Sequence, residues 1–198
     1  SQEAKDMLVK AYELFEEFDT PVMLRVTTRI SHSKGVVELG EVTQAPARKF
    51  AKNPAKYVMI PSNARVRHVV VTERLEKLRL FSEKTPLNFV ENNGSKVGII
   101  TGGVSYQYAK EVAPNLDYFK IGFSYPLPLK KLAEFIKTHD KVFVIEELEP
   151  FYEDQIKAAG LNVAGKEYFG HLGELSPHRV AEGLMKAGVL KEVATASV

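Results

Sequence analysis

The first eighteen residues place apolar side chains at intervals of three and four, which predicts an amphipathic helix. These apolar positions are Met7, Leu8, Ala11, Leu14, Phe15 and Phe18. Pro21 ends this pattern, and the apolar run VMLRV at 22–26 predicts a short strand. One helix and one strand cannot build a sheet. We therefore expect residues 1–39 to be the last part of a larger domain, and an N-terminal Ser in place of Met fits residues missing upstream.

From residue 96 onward, strand and helix patterns alternate. The predicted strands are KVGIIT (96–101), DYFKIGFS (117–124) and KVFVIEE (141–147), and the predicted helices are GGVSYQYAKEVA (102–113), PLKKLAEFIKTHD (128–140) and EPFYEDQIKAAG (149–160). Such alternation implies parallel strands joined by right-handed crossovers. Residues 96–165 are therefore predicted to form a three-layer α/β domain with a mostly parallel sheet. Residues 166–198 are predicted to be a tail with one helix, capped by Ser176 and closed by Gly188.

Residues 40–95 contain four prolines and little periodicity, so they are predicted to be a long linker. TERLEKLRLF (72–81) predicts one helix there, with Thr72 as its N-cap. Residues 46–84 carry ten Lys and Arg against three Glu. We expect a solvated or interface-facing linker. The alternative is a stand-alone interaction module that binds a partner or nucleic acid through residues 46–84, for which Phe50 and Tyr57 are the candidate stacking residues.

The amino-acid composition excludes several kinds of covalent and metal site within the chain. The chain has 198 residues, a formal charge of +2 and no cysteine, which excludes disulfides, thiolate zinc sites and cysteine-bound iron–sulfur clusters within it. The absence of cysteine fits a reducing compartment, and we expect a cytoplasmic protein. No stretch is apolar enough to predict a membrane span. None of the five histidines has metal-ligand spacing, so no metal site is predicted.

Two predicted strand ends carry candidate chemistry, because ligands bind at the carboxyl ends of parallel strands. The turn TGGVSY (101–106) could hold a phosphate, but no acid follows the second strand to bind a ribose, so a tight turn is the favoured interpretation. Glu146 and Glu147 follow the third strand. Paired carboxylates can do acid–base work, but we favour a structural role in which one of them caps the next helix.

The segment TTRISHSKG (27–35) follows the predicted strand VMLRV with a run of polar residues. Its candidate site residues are Thr27, Thr28, Arg29 and His32. A Ser31–His32 nucleophile pair would need a third group to orient it, and we do not expect one.

Several long segments resemble, in order, the alpha subunits of archaeal indolepyruvate ferredoxin oxidoreductases. They are LFEEFDTPVMLRVTTRISHSKG, VRHVVVTERLEKLRLFSEKTPLNFVE, VGIITGGVSYQYAKEV, IGFSYPLP, VFVIEELEPFYEDQIK and GELSPHRV. PVMLR is similar to the last strand of a thiamine-diphosphate pyrimidine-binding domain, and VIEE to the strand end of a transketolase C-terminal domain. The resemblance assigns residues 1–39, 40–95, 96–165 and 166–198 to a pyrimidine-domain remnant, a linker, a transketolase C-terminal-like domain and a tail.

The resemblance implies a middle fragment of an enzyme that converts arylpyruvates to acyl-CoA, CO2 and reduced ferredoxin. The full enzyme would use thiamine diphosphate, Mg2+ and [4Fe-4S] clusters, none of which we expect this fragment to bind alone. Its implied partners are the remaining domains of the subunit, a beta subunit, ferredoxin and coenzyme A; we do not expect nucleic acid. Thr27, Thr28, Arg29 and His32 would neighbour the cofactor cleft. Arg29 would pair with a 2-oxoacid carboxylate or form an interdomain salt bridge, and the isolated chain should be inactive.

Overall fold

The computed structural model describes residues 1–42 and 49–191. By its internal contacts the chain divides into two units, Ser1–Leu78 and Arg79–Val198, and each is described by itself. The predicted α/β class is confirmed, because the second unit holds a mostly parallel sheet with helices on both faces. Part of the basic stretch, including Arg48, and most of the C-terminal sequence KEVATASV lie outside the described residues.

The first unit is helical. Its elements are α1 (Gln2–Phe18), α2 (Thr28–His32), α3 (Pro54–Tyr57) and most of α4 (Pro61–Ser82). The predicted helix is confirmed as α1, which Asp19 closes in the left-handed region at φ 50°. Of its predicted apolar face, Leu14 is buried, whereas Leu8 and Phe15 are exposed. Asp19 accepts a bond from Lys56 Nζ at 2.6 Å and lies 3.3 Å from Arg74 Nη2, so one carboxylate ties the end of α1 to α3 and α4.

The predicted strand at 22–26 is wrong. Residues 21–27 are neither helix nor strand, and the side chain of Met23 is 88% exposed. A strand requires a hydrogen-bonded neighbour, and every strand in the described residues lies beyond residue 88. An apolar run of five residues fits the composition of a strand without supplying that neighbour.

Helix α4 begins eleven residues earlier than the pattern predicted, at Pro61. Thr72 is therefore not an N-cap: it lies in mid-helix, where Oγ1 donates to the carbonyl of His68 at 3.0 Å. The periodicity before residue 72 is poor, and the three consecutive valines at 69–71 are β-branched, but a helix tolerates such residues.

The second unit contains a four-stranded sheet in the order β1-β3-β2-β4, counted over the described residues. The strands are β1 (Phe89–Glu91), β2 (Val97–Gly102), β3 (Asp117–Ile121) and β4 (Lys141–Ile145). β2 pairs in parallel with both neighbours, so that Ile100 lies opposite Phe119 on one side and Val144 on the other. β1 was not predicted; it joins β3 antiparallel at one edge. At the other edge, Ala164 receives the amide of Val144 at 2.7 Å.

Helices cover both faces of this sheet. They are α5 (Gly103–Val112), α6 (Leu129–Lys137), α7 (Phe151–Ala158), α8 (Lys166–Phe169) and α9 (Pro177–Lys186). One core cluster joins Ile99 and Phe143 to α5, α8 and α9, and the other joins Ile100 and Val144 to α6 and α7. Neighbouring strand residues thus point to opposite layers, which confirms the three-layer arrangement. Ser176 caps α9 as predicted, accepting the amide of Arg179 at 3.3 Å.

In the described part of the chain, none of the helices combines the length and the apolar character needed to cross a bilayer.

Candidate functional site

The carboxyl edge of the sheet brings together two of the predicted motifs. The chain runs from β2 to β3 on one side and then returns to β4 on the other side of β2, so the strand order reverses between β2 and β4. In open α/β sheets this reversal opens a crevice at the carboxyl ends of the two strands. The turn after β2 and Glu146 after β4 lie at these strand ends, where Thr101 Oγ1 donates to the carbonyl of Ile145 at 2.7 Å.

Two glycines shape the turn after β2. Gly103 adopts φ 57°, which favours glycine. At Gly102 an added Cβ would lie 2.6 Å from the carbonyl oxygen of Ile121 and 3.1 Å from the hydroxyl of Tyr152. Gly102 carries no side chain that could cap α5. Close packing thus explains Gly102, and the positive φ explains Gly103.

Glu146 is buried and accepts hydrogen bonds from backbone amides. Its two carboxylate oxygens accept the amides of Tyr152 at 2.8 Å and Glu153 at 3.0 Å, in the first turn of α7. Burial raises the pKa of Glu146, and the two amide bonds and the charge of Lys166 oppose that rise only in part. A carboxylate in this position satisfies amides that a helix leaves without partners.

Lys166 and Glu153 complete a charged network next to Glu146. Lys166 Nζ donates to the carbonyl oxygen of Glu146, and its backbone amide donates to Glu153 Oε2 at 2.8 Å. The other oxygen of Glu153 accepts Lys157 Nζ at 2.5 Å. Burial lowers the pKa of Lys166 despite the surrounding carboxylates. Gly165 lets the Glu153 carboxylate approach the backbone, because a Cβ at Gly165 would overlap it.

Glu147 points to a different partner. Its Oε1 accepts the amide of Leu175 at 2.9 Å, which fastens the segment before α9 to the end of β4. Glu146 and Glu147 therefore each bind backbone amides, and neither is arranged as one half of an acid–base pair. At the carboxyl edge, the carboxylates of Glu146, Glu153 and Glu147 therefore bind backbone amides of α7, α8 and the segment before α9.

The candidate residues at 27–32 lie in the other unit, on α2 and its N-cap, so their predicted place at a strand end is wrong. Thr27 is the N-cap residue, and its Oγ1 is buried with no hydrogen-bond partner among the described residues. Thr28, Arg29 and His32 are exposed. These four residues therefore form one short helical turn of the first unit, whereas the strand-end acids Glu146 and Glu147 belong to the second unit.

The basic stretch is partly neutralised where it is described. Lys56 and Arg74 both lie against Asp19, and the hydrogen bond from Lys56 is the main cause that lowers the pKa of Asp19. Phe50 is 90% exposed and Tyr57 is 66% exposed, and the Lys56 ammonium lies 5.1 Å from the Tyr57 ring centre.

Sequence reasoning missed a polar cluster at the opposite, amino edge of the sheet. Asp117 is the first residue of β3, and its Oδ2 lies 3.1 Å from Nε2 of His139. Both side chains are buried, with 5% of Asp117 and 4% of His139 exposed. The pair borders an open groove of about 510 Å³ whose rim includes Phe89 and Lys131. Twenty-two positions separate the pair in sequence, so only the strand register could reveal it. No group of three or more His, Asp or Glu side chains able to hold a metal occurs in the described residues.

Comparison with known proteins confirms the resemblance. The chain is 38% identical to the indolepyruvate oxidoreductase subunit IorA of Pyrococcus abyssi over 93% of its own length. It is 36% identical to the IorA subunit of Archaeoglobus fulgidus over 94% of its length. The chain spans 31% of the length of each of these relatives. No protein-family model matches it.

Among solved structures, the chain is similar to a 2-oxoglutarate:ferredoxin oxidoreductase from Magnetococcus marinus. The superposition covers 64% of this chain and 23% of that chain, with 20% identity and a TM-score of 0.47.

Proposed function

We propose that this chain, a relative of the IorA subunits of indolepyruvate oxidoreductases, is a segment of a thiamine-diphosphate-dependent 2-oxoacid:ferredoxin oxidoreductase subunit. The similarity along 93% of the chain carries the proposal. The complete enzyme would take indolepyruvate or another arylpyruvate, coenzyme A and oxidised ferredoxin. Its products would be the acyl-CoA, CO2 and reduced ferredoxin.

The cofactors of that reaction are proposed to bind elsewhere in the complete enzyme. A [4Fe-4S] cluster needs thiolate ligands, and the 198 residues contain no cysteine. In the described residues, no cluster of three or more His, Asp or Glu side chains is placed to hold a metal ion. The beta subunit, ferredoxin and coenzyme A are proposed partners of the complete enzyme, in the cytoplasm.

The proposed role of the segment is to connect and position other domains. Residues 1–39 would complete a pyrimidine-binding domain, and residues 40–95 would link it to the α/β domain at 96–165. Residues 166–198 would form a linker or tail after that domain. The exposed apolar side chains of the first unit support a surface that packs against more protein. Each of the following is at least 88% exposed: Met23, Val36, Leu39, Val42 and Phe50. Burying such side chains is worth about 1.5–3 kcal/mol apiece.

Arg29 is the residue of this chain that we propose to act nearest the cofactor cleft, with Thr27, Thr28 and His32 beside it. Two roles remain open: a bidentate contact with the 2-oxoacid carboxylate, or an ion pair with another domain. Its exposed position on α2 is compatible with either role.

A complementation assay tests the proposal. The purified chain is supplied with indolepyruvate, coenzyme A, thiamine diphosphate, Mg2+ and ferredoxin, and ferredoxin reduction is followed optically. We expect no turnover from the chain alone. We expect turnover when this segment replaces the matching 31% of a Pyrococcus abyssi IorA subunit assembled with its partner subunit. Turnover by the chain alone, or an assembled but inactive chimera that binds its cofactors, would contradict the proposal.

A further inference from the structure

The turn between β1 and β2 contains the dipeptide Asn93–Gly94, and both of its residues are exposed. Among the asparagines of the chain, only Asn93 is followed by glycine. An asparagine cyclises when the backbone nitrogen of the next residue attacks its side-chain Cγ. A following glycine favours this attack, because it lacks a Cβ and its backbone is the least restricted. Asn93 is therefore the asparagine of this chain at which spontaneous deamidation is chemically easiest.

In the folded turn, both reacting groups are engaged with other partners. Asn93 Nδ2 donates to the carbonyl oxygen of Leu116 at 2.6 Å. The attacking nitrogen, that of Gly94, donates its proton to Asn92 Oδ1 at 3.2 Å. Cyclisation needs this nitrogen to lose its proton and to come within bonding distance of Cγ of Asn93. The two hydrogen bonds oppose both changes, so the folded turn disfavours the reaction.

The buried carboxylate of Asp117 holds the backbone on either side of the dipeptide. Its Oδ1 accepts the amides of Asn93 at 2.8 Å and Ser95 at 2.9 Å. Burial raises the pKa of Asp117, but the hydrogen bonds that it accepts outweigh burial and leave that pKa below its ordinary value. The group is therefore ionised at neutral pH, and hydrogen bonds to a charged acceptor are among the stronger ones. The reaction is thus limited by local opening of the turn.

We propose that Asn93 is a site of spontaneous deamidation, which the folded turn protects and whose reaction loosens that turn permanently. In the first step, Gly94 N forms a bond to Cγ of Asn93, and the side-chain nitrogen leaves as ammonia. Water then opens the cyclic imide at either of its carbonyls. The product at position 93 is an aspartyl or an isoaspartyl residue, and no oxidant or reductant takes part. The proposal is independent of the function proposed above.

Neither product restores the contacts that Asn93 makes in the turn. The new carboxylate is ionised and has no proton to donate, so it cannot replace the bond from Nδ2 to the Leu116 carbonyl. It also adds a negative charge next to the backbone that the Asp117 carboxylate holds. The isoaspartyl form inserts Cβ into the main chain, which changes the spacing of the two amides bound to Asp117. The turn before β2 is therefore less firmly held after the reaction.

Ageing of the purified chain in mildly alkaline buffer, followed by peptide mass spectrometry, tests the site. In the urea-unfolded chain, we expect Asn93 to convert faster than the other asparagines. In the folded chain, its conversion should be at least about tenfold slower, because the hydrogen bonds of the turn must open first. Three results would overturn the proposal: equal rates in the folded and unfolded chains, faster conversion at another asparagine of the unfolded chain, or an unfolded chain that keeps Asn93 intact.

Two substitutions test the effect on the turn. Asn93→Asp reproduces one product and should accelerate amide hydrogen exchange at Ser95 about tenfold. Asn92→Asp is the matched control, because it adds the same charge one residue earlier and still accepts the Gly94 amide. Exchange at Ser95 in this control should stay close to that of the wild type. The aged, converted chain gives the same comparison without a substitution, and unchanged exchange at Ser95 in either the converted chain or Asn93→Asp would refute the loosening.

Discussion

Replacing Glu146 with Ala should destabilise the second unit through the first turn of α7. The substitution removes the acceptor from two backbone amides, those of Tyr152 and Glu153, which lie 2.8 and 3.0 Å from its oxygens. A buried donor left without a partner costs about 1–3 kcal/mol. Because the Tyr152 amide is only part-buried, we expect a total loss of about 2–4 kcal/mol.

The hydrogen bonds of Glu146 stabilise the folded chain, whereas its buried negative charge destabilises it. Burial raises the pKa of Glu146 above its ordinary 4.5, so the folded chain holds this proton more tightly than the unfolded chain. The stability contributed by the protonated form is complete below pH 4.5 and is lost as the pH rises through the folded pKa. Glu146→Gln stays neutral and keeps one acceptor oxygen for these two amides, so it should lose less stability than Glu146→Ala. Its stability relative to the wild-type chain should rise as the pH increases.

Urea unfolding followed by circular dichroism measures the loss, and amide exchange at Tyr152 and Glu153 localises it. The matched control is Glu149→Ala, an exposed acid in the same loop, which should change stability by less than about 0.5 kcal/mol. Equal stability of Glu146→Ala and Glu149→Ala would refute the capping role. If the stability of Glu146→Gln relative to the wild type falls as the pH rises, the reasoning about the charge of Glu146 is refuted.

Three further substitutions or measurements test other parts of the structure. Gly102→Ala should lower the free energy of unfolding by about 1–3 kcal/mol, because its Cβ would lie 2.6 Å from a backbone oxygen. Gly40→Ala, whose Cβ would meet nothing within 4 Å, should leave the melting temperature unchanged. Equal melting temperatures for the two variants would contradict this prediction. Arg29→Ala in the complete enzyme should raise KM for the 2-oxoacid if it binds substrate, while an unchanged KM with lower thermal stability would identify an ion pair. The isolated chain should not bind duplex or single-stranded nucleic acid at low salt, because Asp19 pairs with two of the basic side chains; steep salt-dependent binding in a fluorescence titration would instead support the interaction module.

The α/β unit was predictable because its signals are local. β2 and β4 are continuous apolar runs bounded by turn residues, and α9 carries its own Ser176 cap and Gly188 stop. Parallel pairing followed from the alternation of strands and helices alone. β1 was missed because three residues give too short a pattern to distinguish from a loop.

The remaining features depend on contacts that no local pattern contains. VMLRV at 22–26 has the composition of a strand but no neighbour to pair with, so composition alone misled. One of the alternatives considered for Glu146 was helix capping, but its choice of amides depends on how α7 meets β4. The contact between Asp117 and His139 needed the register of β3 against β2 and the end point of α6, neither of which the sequence determines to within one residue.

The two edges of the sheet differ in how they meet solvent. At β4 the backbone of Ala164 already occupies the outer hydrogen-bonding row: Ala164 accepts from Val144 at 2.7 Å and donates to Val142 at 3.0 Å. Within the described residues, only β1 leaves such a row open, and it is three residues long. A strand from another molecule could form few hydrogen bonds with β1, so this unit is a poor template for the edge-to-edge pairing that leads to aggregation.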